Sequence, residues 1–231
     1  MLPEFTIYGE RCSGTNYLEQ LVLNNFNAEV TWRYGWKHFF GFQEKELALE
    51  DSSNTLFICI VRDPVKWINS FYRELHHLPL KFQKIPNDNI KLDRFLNKEI
   101  WSICNADGDI ANSREQMCDR NIYTGARYKN IFELRHTKIR YLLEDLPKKV
   151  KNHIFIRYED LMYDFETTMN KIKDKGLQVK DATTFPLNTT QYKAHKNVKF
   201  DKNIKTDTIP RAFVINNPNL IKLYECQLGY L

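Results

Sequence analysis

Between Thr55 and Val61 the chain reads TLFICIV, and from Leu56 onward every side chain is apolar. A strand with one wet face alternates apolar and polar residues with period two, so an unalternated run points to a strand covered on both faces. Such strands belong to mostly parallel sheets whose crossover connections lay helices on either side. Phe5 to Gly9, roughly Glu29 to Tyr34, and His153 to Tyr158 read as further strands.

Helical patterns lie between them. Leu18, Leu21, Val22 and Phe26 share one helical face, as do Val65, Ile68, Tyr72 and Leu75. Leu92 to Cys104, Ile131 to Leu146, and Leu161 to Lys175 also read as helices, the last stopped by Gly176. Asn217-Pro218 starts a final helix with proline in its first turn. Strands alternating with helices predict an α/β domain with a mostly parallel central sheet and a ligand site at the carboxyl ends of its strands. A chain of 231 residues suffices for one full core, so residues 1–231 are expected to form a single domain. Two stretches, His76 to Lys91 and the lysine-rich His195 to Phe213, fit the alternation poorly and read as surface excursions of the kind used for lids or substrate loops.

The composition narrows the function classes. Hydrophobic residues make up 42% and charged residues 27%, an ordinary globular balance. The net charge of +5 favours anionic partners without singling out nucleic acid, and a phosphorylated small molecule fits equally well. Cys12, Cys59, Cys104, Cys118 and Cys226 are odd in number, scattered and free of CxxC spacing, which argues for reduced thiols over a disulfide framework or zinc site. No run approaches the ~20 apolar residues of a membrane helix, and the first strand begins too close to Met1 for a signal peptide. These features lead to the expectation of a cytoplasmic protein with no membrane partner. The sequon Asn188-Thr189-Thr190 then reads as chance.

Two strand ends carry chemistry. After the first, Glu10, Arg11, Cys12, Ser13, Gly14, Thr15 and Asn16 lead into a helix. Backbone N–H groups in such a turn, together with the positive helix end, make an anion site, and Gly14 allows close approach. A plain strand-to-helix turn capped by Ser13 or Thr15 gives the same local sequence, and the Walker signature G-x-x-x-x-G-K-[ST] is missing. After the third strand come Arg62, with a planar fork suited to two phosphate oxygens, and Ser70, two turns into a helix and off its apolar stripe. Arg62 pairing with Asp63 at the strand end is the alternative.

CSGTN after the first strand, RDPVKWINSFY after a later one and IRYEDL (Ile156 to Leu161) after a fourth are together similar to the landmarks of sulfotransferases that use 3′-phosphoadenosine 5′-phosphosulfate (PAPS). The matching frame spans about Phe5 to Lys175. The resemblance implies a P-loop-like sulfotransferase architecture, PAPS as donor, PAP as product, no metal, and an acceptor hydroxyl or amine on a small molecule or carbohydrate. It implies that Ser13, Gly14, Thr15 and Asn16 hold the 5′-phosphosulfate, and that Arg62 and Ser70, eight positions apart as is usual in the family, hold the 3′-phosphate. Tyr158 matches a tyrosine beside the adenine or ribose, or else is a core residue ending its strand.

The chain also departs from the family. Many relatives carry a cation just before the serine, where this chain has Cys12, so Arg11 or Lys37 is expected to supply that charge. Relatives place a Lys-x-His pair between the two motifs; here Lys37-His38 is contiguous, making His38 the expected base and Lys37 a stabiliser of developing charge. His76, His77 and Glu10 are rival bases. Arg120, Arg127 and Arg135 either reach the donor or an acidic acceptor, or form a solvated cationic helix face. The 195–213 segment matches a closing segment in position but lacks its Arg-Lys-Gly signature, leaving Lys196, Lys199 and Lys202 open. A P-loop kinase-like phosphotransferase and a non-catalytic module for phosphorylated ligands are the competing readings. Nucleic acid is not expected as a partner, and the sequence carries no signal for oligomeric state.

Overall fold

The computed structural model describes residues 1–41, 49–75, 77–83, 89–104, 114–180, 185, 190–193, 196–199 and 207–231. His76, Asn188 and Lys202 lie outside the described residues, and of Lys196 and Lys199 only the backbone is described. Strands β1 (Glu4–Tyr8), β2 (Glu29–Val30), β3 (Thr55–Val61) and β4 (His153–Arg157) form one sheet in the order β2-β1-β3-β4, parallel throughout. A separate antiparallel ladder joins β5 (Thr190–Lys193) to β6 (Lys196–Lys199). The architecture is therefore the expected α/β type, a four-stranded parallel sheet flanked by helices.

The apolar run of β3 has the predicted cause. Leu56, Ile58 and Ile60 project to one face with Phe5 and Ile7 of β1, packing under α1 (Thr15–Asn25) and α8 (Phe165–Asp174). Phe57, Cys59 and Val61 project to the other, with Tyr8, Phe40, Ile139 and Tyr141. All seven residues of β3 are buried. A third cluster, built on Trp67, Phe71, Phe95, Ile131 and Leu134, joins α2 (Pro64–Arg73), α4 (Asn89–Asn97) and α5 (Ile131–Arg140); the short α3 (Leu80–Gln83) adds Phe82.

Several boundaries differ from the sequence expectation, each for a local reason. β2 ends at Val30 rather than Tyr34: Thr31 N–H makes the final bond to Phe5 O, and the chain then turns with Gly35 N–H on Trp32 O and Gly35 at φ 97°. α4 stops at Asn97, short of Cys104, because Ile100 and Ile103 form isolated bridges to Tyr128 and Glu115. α5 widens into a π turn at Tyr141–Asp145 before α6 (Leu146–Lys149); Pro147 has no N–H for the Leu143 carbonyl, and its ring crowds it. The expected helix from Leu161 splits at Asp164 (φ −136°) into α7 (Tyr158–Tyr163) and α8, and Gly176 at φ 105° follows the end of α8. After α9 (Arg211–Ile215), Asn217 takes the Asn219 N–H on its side chain and so makes a turn; α10 starts only at Lys222 and runs to Gln227.

The strand order fixes where a ligand binds. From β1 the chain moves to β2 on one side and later returns to β3 on the other, so the connections diverge between β1 and β3, the crevice where open α/β sheets hold ligands. Tyr8 pairs with Cys59, and Val61 with Arg157, so the segments after β1, β3 and β4 leave the same edge side by side.

Ile58 is fully buried at the middle of β3. Ile58→Ala is expected to lower stability by about 3 kcal/mol in urea denaturation, the usual cost of a cavity in such a core; a loss under 1 kcal/mol would contradict the packing described.

Candidate functional site

The turn after β1 is shaped by two glycines. Gly9 donates its N–H to Lys37 O at 2.9 Å and lies flat on β3, where a Cβ would meet Ile60 O and Ile60 Cγ2 at 2.7 Å. Ser13 N–H then donates to Glu10 O at 3.1 Å across a reversal in which Cys12 has φ 64°. Gly14, at φ 93°, precedes α1 as its cap residue, and no side chain caps the helix. The turn capped by Ser13 or Thr15 is thus not the one that forms. The start of α1 therefore has no side-chain cap, and the positive end of its dipole lies at the turn.

Gly9 and Gly14 also stand at the spacing of the two Walker glycines, with Thr15 and Asn16 where Lys and Ser/Thr would follow. The lysine arrives from elsewhere. Lys37 Nζ donates to Asn16 Oδ1 at 2.5 Å and Glu19 Oε2 at 3.1 Å, and sits 5.2 Å from the ring centres of both Trp32 and Trp36.

The segments after β3 and β4 meet this turn. Arg62 Nη1 donates to Cys12 O at 3.2 Å, its guanidinium stands 4.6 Å from the Tyr158 ring centre, and its buried Nε has no hydrogen-bond partner among the described residues. Asp63 does not pair with Arg62. It accepts from the Val65 and Lys66 N–H groups as the cap of α2, beside Pro64, and lies 3.5 Å from Arg211 Nη1. Ser70 on α2 hydrogen-bonds the Cys12 thiol, and Trp67 Nε1 donates to Arg11 O at 2.7 Å, so two side chains tie α2 to the turn. Burial pushes the Cys12 thiol up to about 11, against the Ser70 bond and the nearby Arg11 charge, so Cys12 is neutral at pH 7. Tyr158 lies against Gly14, its Cδ2 only 2.3 Å from where a Cβ would stand. Cys12, Gly14, Arg62, Ser70 and Tyr158 therefore share one surface at the strand ends.

Arg11 goes elsewhere. Its side chain is 1% exposed and turns beneath the loop, with Nε 2.7 Å from Glu10 Oε1, Nη2 3.3 Å from Asp119 Oδ2, and Cζ 4.7 Å from the Phe71 ring centre. Lys138 closes the cluster by donating to both carboxylates and, at 2.5 Å, to His38 O; Ser102 donates to Asp119. Burial alone would raise the Glu10 carboxyl, but Lys138 and Arg11 hold it below the usual range, ionised. Burial pushes Asp119 up, as does the Glu10 charge, while Lys138 and Arg11 oppose. Asp119 and Lys138 were not found from sequence. The signal was present: Arg135 and Lys138 fall on the helical stripe of Ile131, Leu134 and Ile139, where a cation must be buried with a partner.

His38 Nδ1 lies 2.8 Å from Gly9 O. A carbonyl only accepts, so this bond keeps the proton on Nδ1 and leaves the Nε2 lone pair available. Burial, assisted by the Lys37 and Arg11 charges, lowers its pKa to about 3, against the pull of Glu10 and the Gly9 bond. His77, at φ 56°, lies 5.7 Å from Phe39, whose ring is 6.4 Å from His38. Arg120 and Arg127 both bind Glu115, and Arg127 also binds Glu99 and covers Trp101. Arg135 instead reaches Arg62, donating to its carbonyl at 2.9 Å.

No protein-family model matches the chain, and no curated protein matches it. Among solved structures, a crystal structure of mouse sulfotransferase SULT7A1 complexed with PAP is similar at 14% identity and a TM-score of 0.41, covering 98% of this chain and 82% of that one. No helix among the described residues is long and apolar enough to cross a membrane.

Two outcomes are expected. Gly14→Ala should cost about 1–3 kcal/mol, combining positive φ with collision against Tyr158, and more than Gly125→Ala, where φ is 70° but a Cβ meets nothing within 4 Å; denaturant midpoints compare the two. Because the folded His38 resists protonation, its share of stability is complete above about pH 6.5 and declines as pH falls from there toward 3. Between pH 7.5 and 5.5 the protein should lose about 1 kcal/mol more than His38→Gln does in urea denaturation.

Proposed function

We propose that this protein is a sulfotransferase that moves a sulfuryl group from PAPS to a hydroxyl or amine of a small-molecule or carbohydrate acceptor, releasing PAP. The observation that carries the reading is the meeting of Arg62, Ser70 and Tyr158 at the Cys12–Gly14 turn, with Arg62 presenting a buried Nε that no group among the described residues satisfies. A buried orphan donor on a guanidinium beside an uncapped helix start suits a ligand with two separate anionic groups.

In this reading the donor brings a sulfuryl group on a phosphate leaving group, and the chain positions it. The Ser13, Gly14, Thr15 and Asn16 positions hold the phosphosulfate end. Arg62 and Ser70 hold the 3′-phosphate, and the Tyr158 ring lies beside the nucleoside. Cys12 carries no charge, and Arg11 is already neutralised beneath the turn by Glu10 and Asp119. The geometry therefore favours Lys37, at the Asn16 end of the turn, as the cation for the transferring group. His38, neutral with its proton on Nδ1, takes the acceptor proton at Nε2. No metal is invoked: Asn16 stands where a phosphotransferase loop has the hydroxyl that binds magnesium, which weakens the kinase-like reading.

One observation favours a second reading. Lys37 is held by Glu19, and with Arg11 neutralised the transferring end has no unshared cation among these residues, as suits a module that binds phosphorylated ligands without turnover. Calorimetry with PAP and PAPS, followed by transfer assays over an acceptor panel, separates the cases. PAP binding with transfer supports the enzyme, PAP binding with no transfer supports the module, and no PAP binding overturns the sulfotransferase reading.

Arg62→Ala should weaken PAP binding about 10- to 100-fold, the value of a charged phosphate contact, while leaving kcat at saturating donor within about threefold. His38→Gln should do the reverse, lowering kcat by about 100-fold with little change in the PAPS KM. The acid limb of kcat/KM should lie near pH 3, as the lowered His38 pKa requires, instead of near 6.5.

A further inference from the structure

The peptide unit joining Arg62 to Asp63 is gripped at both of its polar atoms. Its carbonyl accepts from Arg135 Nη2 at 2.9 Å, and its N–H donates to Glu159 Oε1 at 3.0 Å. Each gripping side chain is itself held by the C-terminal region. Arg135 makes a two-point pair with Glu225 of α10, Nε to Oε1 at 2.5 Å and Nη2 to Oε2 at 2.8 Å, with both side chains at most 4% exposed. Glu159 accepts the Tyr230 hydroxyl at 2.9 Å. The same region is anchored by Arg157, which donates to Leu228 O at 3.0 Å, and by Arg211, which donates to Tyr230 O at 3.1 Å while facing Asp63.

A peptide unit is planar, so holding its oxygen and its nitrogen fixes the ψ of Arg62 and the φ of Asp63. Those angles set how the Arg62 side chain leaves the end of β3. Sheet pairing does not do this, because the ladder with β4 ends at Val61. We propose that Arg135, Glu159, Glu225 and Tyr230 are positioning residues that aim the Arg62 fork at a 3′-phosphate, with α10 and Tyr230 acting as the brace. The assignment rests on the reading of Arg62 as the 3′-phosphate group. It accounts for the burial of the Arg135–Glu225 ion pair: an apolar pair of equal volume serves stability as well, but cannot donate to the Arg62 carbonyl.

The test uses the full chain and two nucleotides, PAP and adenosine 5′-phosphate, which lacks the 3′-phosphate. Arg135→Met/Glu225→Leu fills the buried space without charge, and Tyr230→Phe removes only the hydroxyl that steers Glu159. Thermal melts establish that each variant folds, and calorimetry gives both affinities. The expected result is a loss of about tenfold in PAP affinity with adenosine 5′-phosphate unchanged, so that the preference for PAP shrinks. If the native chain prefers PAP and both variants keep that preference, or lose both nucleotides equally, the brace is overturned and the sulfotransferase reading stands. If the native chain binds the two nucleotides equally, the 3′-phosphate assignment of Arg62 falls, and the brace falls with it.

Discussion

The contact of Gly9 with Ile60 is the constraint on which the site depends. It brings the turn after β1 down onto β3, so that the segments leaving both strands begin within reach of each other. Only a residue without Cβ fits there. From that closeness follow the bond between Arg62 and the Cys12 carbonyl, the docking of α2 through Trp67 and Ser70, and the place of Tyr158 over Gly14. The geometry of the candidate site is a property of adjacent parallel strand ends, with side chains arranged around it.

Beneath the turn, Glu10, Arg11, Asp119 and Lys138 form a buried cluster with two charges of each sign. Opposite charges in contact offset the desolvation each carries, and removing any one leaves the cluster with a net buried charge. The cluster joins the end of β1, the segment before α5, α5 itself and the backbone of His38. It explains why Arg11, which sequence adjacency places at the anion loop, is turned away from it. Local sequence suggested a cation for a ligand; the adjacent Glu10 and the distant Asp119 took it for the interior.

The legible parts of the molecule were those set by local pattern. The unalternated β3 run matches the observed strand to the residue, and CSGTN, RDPVKWINSFY and IRYEDL each sit at the strand end where they were expected. The limits of α4, the division at Asp164 and the turn at Asn217 were not legible, because bridges and side-chain captures between particular neighbours decide them. Gly14, Arg62, Ser70 and Tyr158, singled out from the sequence, lie together at the strand ends, whereas the fate of Arg11 and the burial of Lys138 were not legible. Arg11 meets Asp119 across 108 positions, and Lys138 meets Glu10 across 128. Pairings at such separations leave no periodic trace.

The double grip on the Arg62–Asp63 peptide also bears on the order in which the molecule is made. Arg135 reaches Arg62 across 73 positions and Glu225 across 90, and Tyr230 reaches Glu159 across 71. Such contacts require the intervening chain to be folded before they close, and distant closures are slow. In the turn after β1 and the start of α1 the Ser13 to Glu10 and Leu18 to Gly14 bonds join near neighbours, whereas the seat of Gly9 on Ile60 waits for β3. The backbone that carries Arg62 is therefore braced from the last helix of the chain, so the two sides of the candidate site draw their order from widely separated stretches of sequence.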